Sequence, residues 1–293
     1  MADNQCILKD TQLPTISAYQ NGLTAHIPNG GVSLHERAKR GVVKGWTKET
    51  VRRHTKWLYS VDIAQLDGHG VALTVTMRDC PESSDAFHRL RRTFFDRLSR
   101  MDLTRMHWVI EWQRRGVPHM HLALYFDREL TGVEQFALKQ HWLDVCEPYG
   151  ATLGAQYLLP ITGPSGWLQY LSKHAARGAA HYQRSGKPSG WEKTGRLWGH
   201  QGSWPVEEAL SFDVPREGYF QFRRLVRQWR LADARMESDE VTRRRRIRAA
   251  RRMLASNDRT MSEVRGISEW IPQDQLVLFL GVLAAQGFPV RQV

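Results

Sequence analysis

Two strand-like runs separated by a short turn-forming linker constrain this chain more than any other feature. The runs cover residues 107–112 and 119–126, and both are rich in apolar and aromatic side chains. The linker between them contains Gly116 and Pro118, which favour turns and interrupt strands. The sequence therefore predicts an antiparallel β-hairpin over residues 107–126.

Helical and strand patterns alternate around this hairpin. A buried strand is predicted at 71–77 and a short strand at 157–159, and helices are predicted at 131–146 and 166–177. A helix that opens near Pro81 places five apolar side chains along one face: Phe87, Leu90, Phe94, Leu98 and Met101. The order β, α, β, β, α, β, α predicts an α+β fold in which helices flank a central antiparallel sheet.

Composition divides the chain into three parts. Residues 1–45 are rich in Gly, Asn, Pro and Thr without sustained periodicity, which predicts an irregular N-terminal arm. Residues 46–235 contain the alternating strands and helices and are expected to form the main domain. A polar break at 238–240 marks the start of a basic, mostly helical C-terminal region, which we expect to cover residues 236–293.

The chain is strongly basic, with a formal net charge of +12 from 42 Lys and Arg against 30 Asp and Glu. Charge of this sign attracts polyanions such as DNA and RNA, although it selects a class of partner and not a reaction. The densest positive stretch is a run of arginines, which repel one another unless an anion neutralises them. We therefore predict that the following residues contact DNA: Arg243, Arg244, Arg245, Arg246, Arg248, Arg251 and Arg252.

The same sequence predicts a soluble protein of a reducing cytosol, such as the bacterial cytoplasm. The three cysteines are widely spaced, which favours neither a disulfide framework nor a CxxC metal pair. Residues 1–10 lack the pattern of a secretion signal, and the apolar run at 276–285 has about half the length of a membrane span. Because no GxxxxGK[ST] phosphate loop is present, we expect no use of ATP.

Two histidines in the second strand of the hairpin are candidate metal ligands. His119 and His121 are two residues apart, so their imidazoles emerge on the same face of a strand. Glu111 lies on the partner strand, where its carboxylate can face the same side. Two nitrogens and one carboxylate oxygen would leave open positions on Mn²⁺ or Mg²⁺ for a phosphate. His107 has the same parity as Glu111 and is the alternative third ligand.

A tyrosine and a lysine in the helix predicted at 166–177 are candidate catalytic residues. Tyr170 and Lys173 are three residues apart and so share a helix face. An ammonium group beside a phenol favours the ionised form of the phenol. This pair could supply an activated nucleophile.

In this order, the motifs resemble those of the His-hydrophobic-His (HUH) endonuclease superfamily. The run Leu73-Thr74-Val75-Thr76 resembles the first motif of that superfamily, His119-Met120-His121 the second, and Tyr170-Leu171-Ser172-Lys173 the third. The stretch 111–121 is most similar to phage gene A-type and plasmid replication initiators, in which an upstream glutamate supplies the third ligand. The segment 195–199 is similar to one that follows the tyrosine in such initiators. The resemblance covers about residues 70–200.

The resemblance implies metal-dependent nicking of single-stranded DNA at a replication origin. Attack by Tyr170 would leave a 5′-phosphotyrosine and a free 3′-hydroxyl, which a host polymerase extends behind a host helicase in rolling-circle replication. A hairpin or supercoiling at the origin would expose the single strand. Gene A-type enzymes carry a second tyrosine four residues after the first, but this chain has His174 there. The sequence therefore predicts a one-tyrosine enzyme, with Tyr182 as the alternative second nucleophile.

Two other functions are compatible with the sequence. A conjugative relaxase or a single-strand transposase would use the same chemistry, although relaxases generally resemble a three-histidine version with the tyrosine nearer the N-terminus. A basic nucleic-acid-binding protein without catalysis would use the histidines and Tyr170 only as structural residues. A metal-dependent nicking assay separates this second alternative from both enzymes.

Overall fold

A computed structural model describes residues 13–26, 41–163, 166–167, 170, 177–252 and 267–293. Across these residues the fold is mixed α+β, with two five-stranded antiparallel sheets, and this confirms the predicted class. In chain order the elements are β1 (Thr15–Tyr19), β2 (Gly22–His26), α1 (Lys48–Ser60), β3 (His69–Thr76), α2 (Ser84–Leu98), β4 (Leu103–Trp112), β5 (Pro118–Phe126), α3 (Gly132–Val145), β6 (Tyr157–Ile161), β7 (Trp198–Gly202), β8 (Leu210–Asp213), α4 (Arg216–Arg235), α5 (Glu240–Arg252), β9 (Ile267–Glu269), α6 (Gln273–Ala285) and β10 (Arg291–Gln292). Two short 3₁₀ turns, Glu147–Tyr149 and Leu153–Ala155, precede β6.

The chain divides into two compact units, and one of them is discontinuous in sequence. The central unit lies within residues 37–206, and the terminal unit combines parts of residues 1–36 and 207–293. The predicted boundaries at residues 45 and 235 therefore differ from the observed ones. The helix α4 lies within the residues predicted for the main domain, but it packs against α5 and α6 in the terminal unit.

The expectation of an irregular N-terminal arm is wrong for residues 15–26, which form β1 and β2. These strands lie inside a sheet of order β10-β8-β1-β2-β9. Ile16 pairs with Ala25 on one side and with Phe212 on the other. A two-stranded hairpin is marginal alone and needs further strands to be stable. Because β8, the first of those strands, comes almost two hundred residues later, the local composition did not reveal this sheet.

The sheet of the central unit positions the candidate ligands. Its order is β6-β3-β5-β4-β7, so β3, β5 and β4 are all interior strands. One face carries apolar side chains such as Val75 and Leu122, which belong to a core that includes Phe94 of α2 and Trp142 of α3. Alternation along each strand directs Glu111 to the opposite face from Trp108 and Trp112. The candidate ligands are therefore buried on the face that α2 does not cover.

The helix α2 begins where the sequence predicted. Its N-cap is Ser83, whose hydroxyl accepts a hydrogen bond from the backbone N–H of Ala86 at 3.2 Å. Three of the five predicted apolar positions are buried, namely Phe87, Phe94 and Leu98. The burial of these side chains against the sheet confirms the predicted amphipathic face. Within the described ranges, no helix combines the length and the hydropathy that crossing a bilayer requires.

Candidate metal and nucleic-acid site

The register of β4 and β5 brings three candidate ligands to one face of the central sheet. β4 and β5 are antiparallel neighbours, and Glu111 lies directly opposite His119. Residues opposite each other in an antiparallel pair share a face, and His121 follows His119 by two residues. The ligand atoms of Glu111, His119 and His121 all lie within 4.8 Å of one another. This group of three side chains, the ligand group, is buried.

The distances within the ligand group show convergent donor atoms. The Nε2 atoms of His119 and His121 are 2.8 Å apart, and Nε2 of His121 is 3.6 Å from Oε2 of Glu111. Two imidazole lone pairs at that separation repel unless a proton or a cation lies between them. The lone pairs of these atoms therefore converge on one position, which is suited to a cation.

Thr74 on β3 orients one of these rings. Its hydroxyl oxygen is 2.9 Å from Nδ1 of His121, and the two residues are direct neighbours in the β3–β5 register. When Nδ1 carries the proton, it donates to the Thr74 hydroxyl, and the lone pair of Nε2 is left for a cation. Such a contact from outside the ligands sets the tautomer of a metal-binding histidine.

Two arginines that sequence reasoning missed hold the Glu111 carboxylate. Nε of Arg184 donates to Oε1 at 2.8 Å, and Arg177 donates to Oε2. Burial raises the pKa of the Glu111 carboxyl, but the hydrogen bond with His121 and the positive charges of Arg184 and Arg177 lower it further, to about 2. Glu111 is therefore an ionised carboxylate. No local pattern marks either arginine, because a loop that follows the helical segment brings them to β4.

The donor set fits a divalent transition ion. Two imidazole nitrogens and one carboxylate suit Mn²⁺ better than Mg²⁺, which prefers oxygen ligands. Arg177 already binds Oε2 of Glu111, the oxygen that faces His121. A bound ion would therefore share this oxygen with Arg177 or displace it.

His107, the alternative third ligand, lies outside the ligand group. Its Nε2 is 3.0 Å from Nε2 of His54, and its ring stacks on Trp57 with centroids 4.8 Å apart. Burial, with a smaller effect of His200, lowers the pKa of His107 to about 3, so the ring is neutral. The geometry brings Glu111, and not His107, together with His119 and His121.

Tyr170 has helical backbone geometry and is only 8% exposed. Its hydroxyl is 3.4 Å from Nδ1 of His107, and its ring stacks on Trp167 with centroids 5.5 Å apart. Burial, and to a smaller extent the negative charge of Glu111, raises the pKa of the phenol well above its usual value of 10. The side chain is therefore a sequestered, protonated phenol. Lys173 and His174 lie outside the described residues.

The predicted DNA-binding arginines form part of α5, and they divide into two sets. Arg243 and Arg244 pair with Glu240, while Arg246 pairs with Asp233 and Glu237. The other four are exposed, and none of them forms an ion pair with a described residue: Arg245, Arg248, Arg251 and Arg252. Carboxylates of the protein itself thus neutralise some of the arginines of α5, although the sequence alone gave no reason to distinguish among them.

Comparison with known proteins places this arrangement in a family. The family model of the ORF2-type replication-associated proteins matches residues 70–182, a segment that contains the ligand group and Tyr170. The replication-associated protein of Pseudomonas phage Pf3 is 46% identical over 255 residues, which are 86% of this chain and 90% of the phage protein. Xylella fastidiosa (strain 9a5c) has a relative whose name describes it as a replication protein. It is 44% identical over 95% of this chain and 99% of its own length.

A second Xylella protein with a similar name, from strain Temecula1, is 43% identical over 88% of this chain and 99% of its own length. No solved structure matches the chain significantly. These matches place this basic α+β chain, with its buried group of two histidines and a carboxylate, among the replication-associated proteins. The chain belongs to the ORF2 family of replication-associated proteins, together with the replication-associated protein of phage Pf3.

Proposed function

We propose that this protein is an HUH endonuclease that initiates rolling-circle replication of a phage or plasmid by nicking single-stranded DNA at the origin. The ligand group is the observation that carries the proposal, because two histidines and a carboxylate converge within 4.8 Å on one buried face of a sheet. The name of the Pf3 relative, a replication-associated protein, supports the biological context.

The charges around the ligand group favour a phosphate as its partner. Glu111 contributes one negative charge and is bonded by two guanidinium groups, those of Arg177 and Arg184. The site therefore has an excess of positive charge before any ion binds. A divalent cation at Glu111, His119 and His121 would add to this excess, so an anion must accompany it. A DNA phosphate supplies that anion, and the proposed metal and substrate should bind cooperatively.

The reaction is a transesterification at phosphorus. The Tyr170 oxygen forms a bond to the scissile phosphorus, the bond from phosphorus to the 3′ oxygen breaks, and the phenol proton replaces that bond at the 3′ oxygen. The products are a 5′-phosphotyrosine and a 3′-hydroxyl, and the covalent bond is retained for later rejoining. A bound Mn²⁺ or Mg²⁺ would polarise the phosphate and stabilise the negative charge on its oxygens.

Tyr170 must change its surroundings before it can attack. In the structure its hydroxyl lies against His107 and its pKa is raised, so the phenol is neither ionised nor exposed. DNA binding therefore has to draw the side chain toward the ligand group. His107 Nδ1 can accept a hydrogen bond from the hydroxyl in the resting state, and Lys173 is the sequence-based candidate to stabilise the phenolate.

The test is the formation of a covalent adduct. Overlapping oligonucleotides that tile the replicon encoding this chain are labelled at the 3′ end and incubated with the protein and Mn²⁺. We expect one of them to become linked to the protein, and peptide mass spectrometry should place the link at Tyr170. Chelation and Tyr170→Phe should both abolish the adduct, whereas Tyr182→Phe should not. Adduct formation by Tyr170→Phe would overturn the assignment of the nucleophile.

A further inference from the structure

An open pocket of about 470 Å³ lies beside the turn between β4 and β5. Two chain segments line it, the turn itself and the loop that carries Arg184. The residues that line it are Trp112, Gln113, Arg114, Gly116, Tyr182, Ser185 and Lys187. Two of these side chains are cationic, two are aromatic and none is acidic. A pocket with this lining is suited to a ligand that combines negative charge with a flat ring.

Tyr182 presents an aromatic surface to this pocket. Its side chain is 53% exposed, and the Arg114 guanidinium lies 5.3 Å from the centre of its ring. Arg114 and Lys187 are both exposed, and neither forms an ion pair with any residue that the structure describes. An exposed ring flanked by two cations is the arrangement with which proteins bind unpaired nucleotides, because bases stack on the ring and phosphates bind the cations.

Hydrogen bonds connect the loop that lines the pocket to β4, the strand that carries Glu111. Trp112, which follows Glu111, donates from its backbone N–H to the carbonyl of Gln183 at 2.8 Å and from its indole N–H to the carbonyl of Gly186 at 3.2 Å. Between these two anchors, Arg184 points inward and binds Glu111. The same loop therefore supplies one cation to the ligand group and two side chains, Tyr182 and Lys187, to the pocket.

We infer that this pocket binds one nucleotide of the single-stranded DNA next to the scissile phosphate. The base stacks on Tyr182, and the adjoining phosphate binds Arg114 and Lys187. This inference rests on the proposed function, which brings the strand to the ligand group. It assigns to Tyr182 a role in binding, and not the role of a second nucleophile.

The test measures DNA binding without cleavage. The full-length protein in EDTA is titrated into a labelled single-stranded oligonucleotide that spans the nick site, and binding is followed by anisotropy. We expect Tyr182→Ala to weaken binding about ten-fold, whereas Tyr182→Phe, which keeps the ring, should bind like the wild type. Phe136→Ala removes a half-exposed ring from α3 and should leave binding unchanged.

An abasic scan identifies the stacked base. Each base of the oligonucleotide is removed in turn, and one position beside the nick should weaken binding of the wild type about as much as Tyr182→Ala does. The same abasic position should have no further effect in Tyr182→Ala. If every abasic position has equal effects in the two proteins, or if Tyr182→Phe binds as weakly as Tyr182→Ala, the inference is wrong.

Three further measurements separate the phosphate contacts, the identity of the ligand and the proposed nicking. Gln substitutions at Arg114 and Lys187 should reduce the dependence of log Kd on log salt by about 0.7 for each phosphate that is no longer bound, and an unchanged slope would refute the phosphate assignment. Displacement of the oligonucleotide by a mononucleotide at a concentration no higher than that of the oligonucleotide would reassign the pocket to a free nucleotide and overturn the inference. An intact abasic effect in a protein that forms no covalent adduct would support the pocket and refute the proposed nicking.

Discussion

The Nε atom of Arg184 donates to Oε1 of Glu111 at 2.8 Å, and both side chains are completely buried. Glu111 is part of β4, whereas Arg184 lies 73 residues later in a loop. A buried carboxylate is stable only when its charge is compensated. The orientation of this carboxylate toward the two histidines therefore depends on a contact between distant parts of the central unit.

This relationship predicts strong coupling between Glu111 and Arg184. Arg184→Met leaves a buried charge with one partner fewer, and we expect it to lower the free energy of unfolding by about 3 kcal/mol. Glu111→Gln should lower the free energy of unfolding much less in the Arg184→Met background than in the wild type. In that background the substitution removes a carboxylate charge that has lost one of its partners. Urea denaturation of the single and double variants measures the coupling. Arg78→Met, which breaks an exposed pair with Asp79, is the control and should change little. Additive losses would show that the two residues act independently.

Metal binding should raise the thermal stability of the protein. An ion that binds only the folded state at 100 times its Kd stabilises that state by about 2.7 kcal/mol. Adding Mn²⁺ to protein stripped with EDTA should therefore raise Tm, and Glu111→Gln, His119→Ala or His121→Ala should abolish the increase. His107→Ala should have a lower Tm because it leaves a cavity, but the increase with Mn²⁺ should remain. If His107→Ala lost the rise in Tm with Mn²⁺ and Glu111→Gln kept it, the third ligand would be His107 and not Glu111.

Two glycines with nearly the same positive φ should differ in their tolerance of alanine. Gly202, at the end of β7, has φ +79, and a Cβ atom there would overlap the carbonyl oxygen of Thr104. Gly116 has φ +80, but nothing lies within 4 Å of the position of its Cβ. We expect Gly116→Ala to cost about 1 kcal/mol from the backbone alone, and Gly202→Ala to cost about 3 kcal/mol because β7 must also move away from β4. Denaturant unfolding compares them, and equal losses would contradict the close approach of the two strands.

The two sets of arginines in α5 should contribute differently to DNA binding. Arg245, Arg248 and Arg252 are exposed and spaced by three and four residues, so they share a helix face. Replacing these three with Gln should reduce the slope of log K against log salt by about 0.7 to 0.9 for each phosphate that is no longer bound. The matched triple variant at Arg243, Arg244 and Arg246 should change the slope little, because internal carboxylates already neutralise these side chains. Equal changes in the two variants would show that the ion pairs open when DNA binds.

The sequence alone determined the elements whose signals are local. The three-and-four spacing of apolar residues located α2, because the period of a helix is read within a few turns. Alternation along a strand placed His119 and His121 on one face. The short linker then favoured Glu111 as the residue that faces them, with His107 left as the alternative. Each of these inferences depends on residues fewer than twenty positions apart.

Only the tertiary structure decided what depends on distant partners. β1 is a strand because β8 pairs with it, and nothing near residue 15 indicates that pairing. Arg184 binds Glu111, and His107 lies against His54 and Tyr170, through the packing of separate elements. The free energy of such contacts comes from burial and from pairing of charge, which are properties of the assembled chain. A local pattern records which side chains share a face, but it does not record which distant group will cover that face.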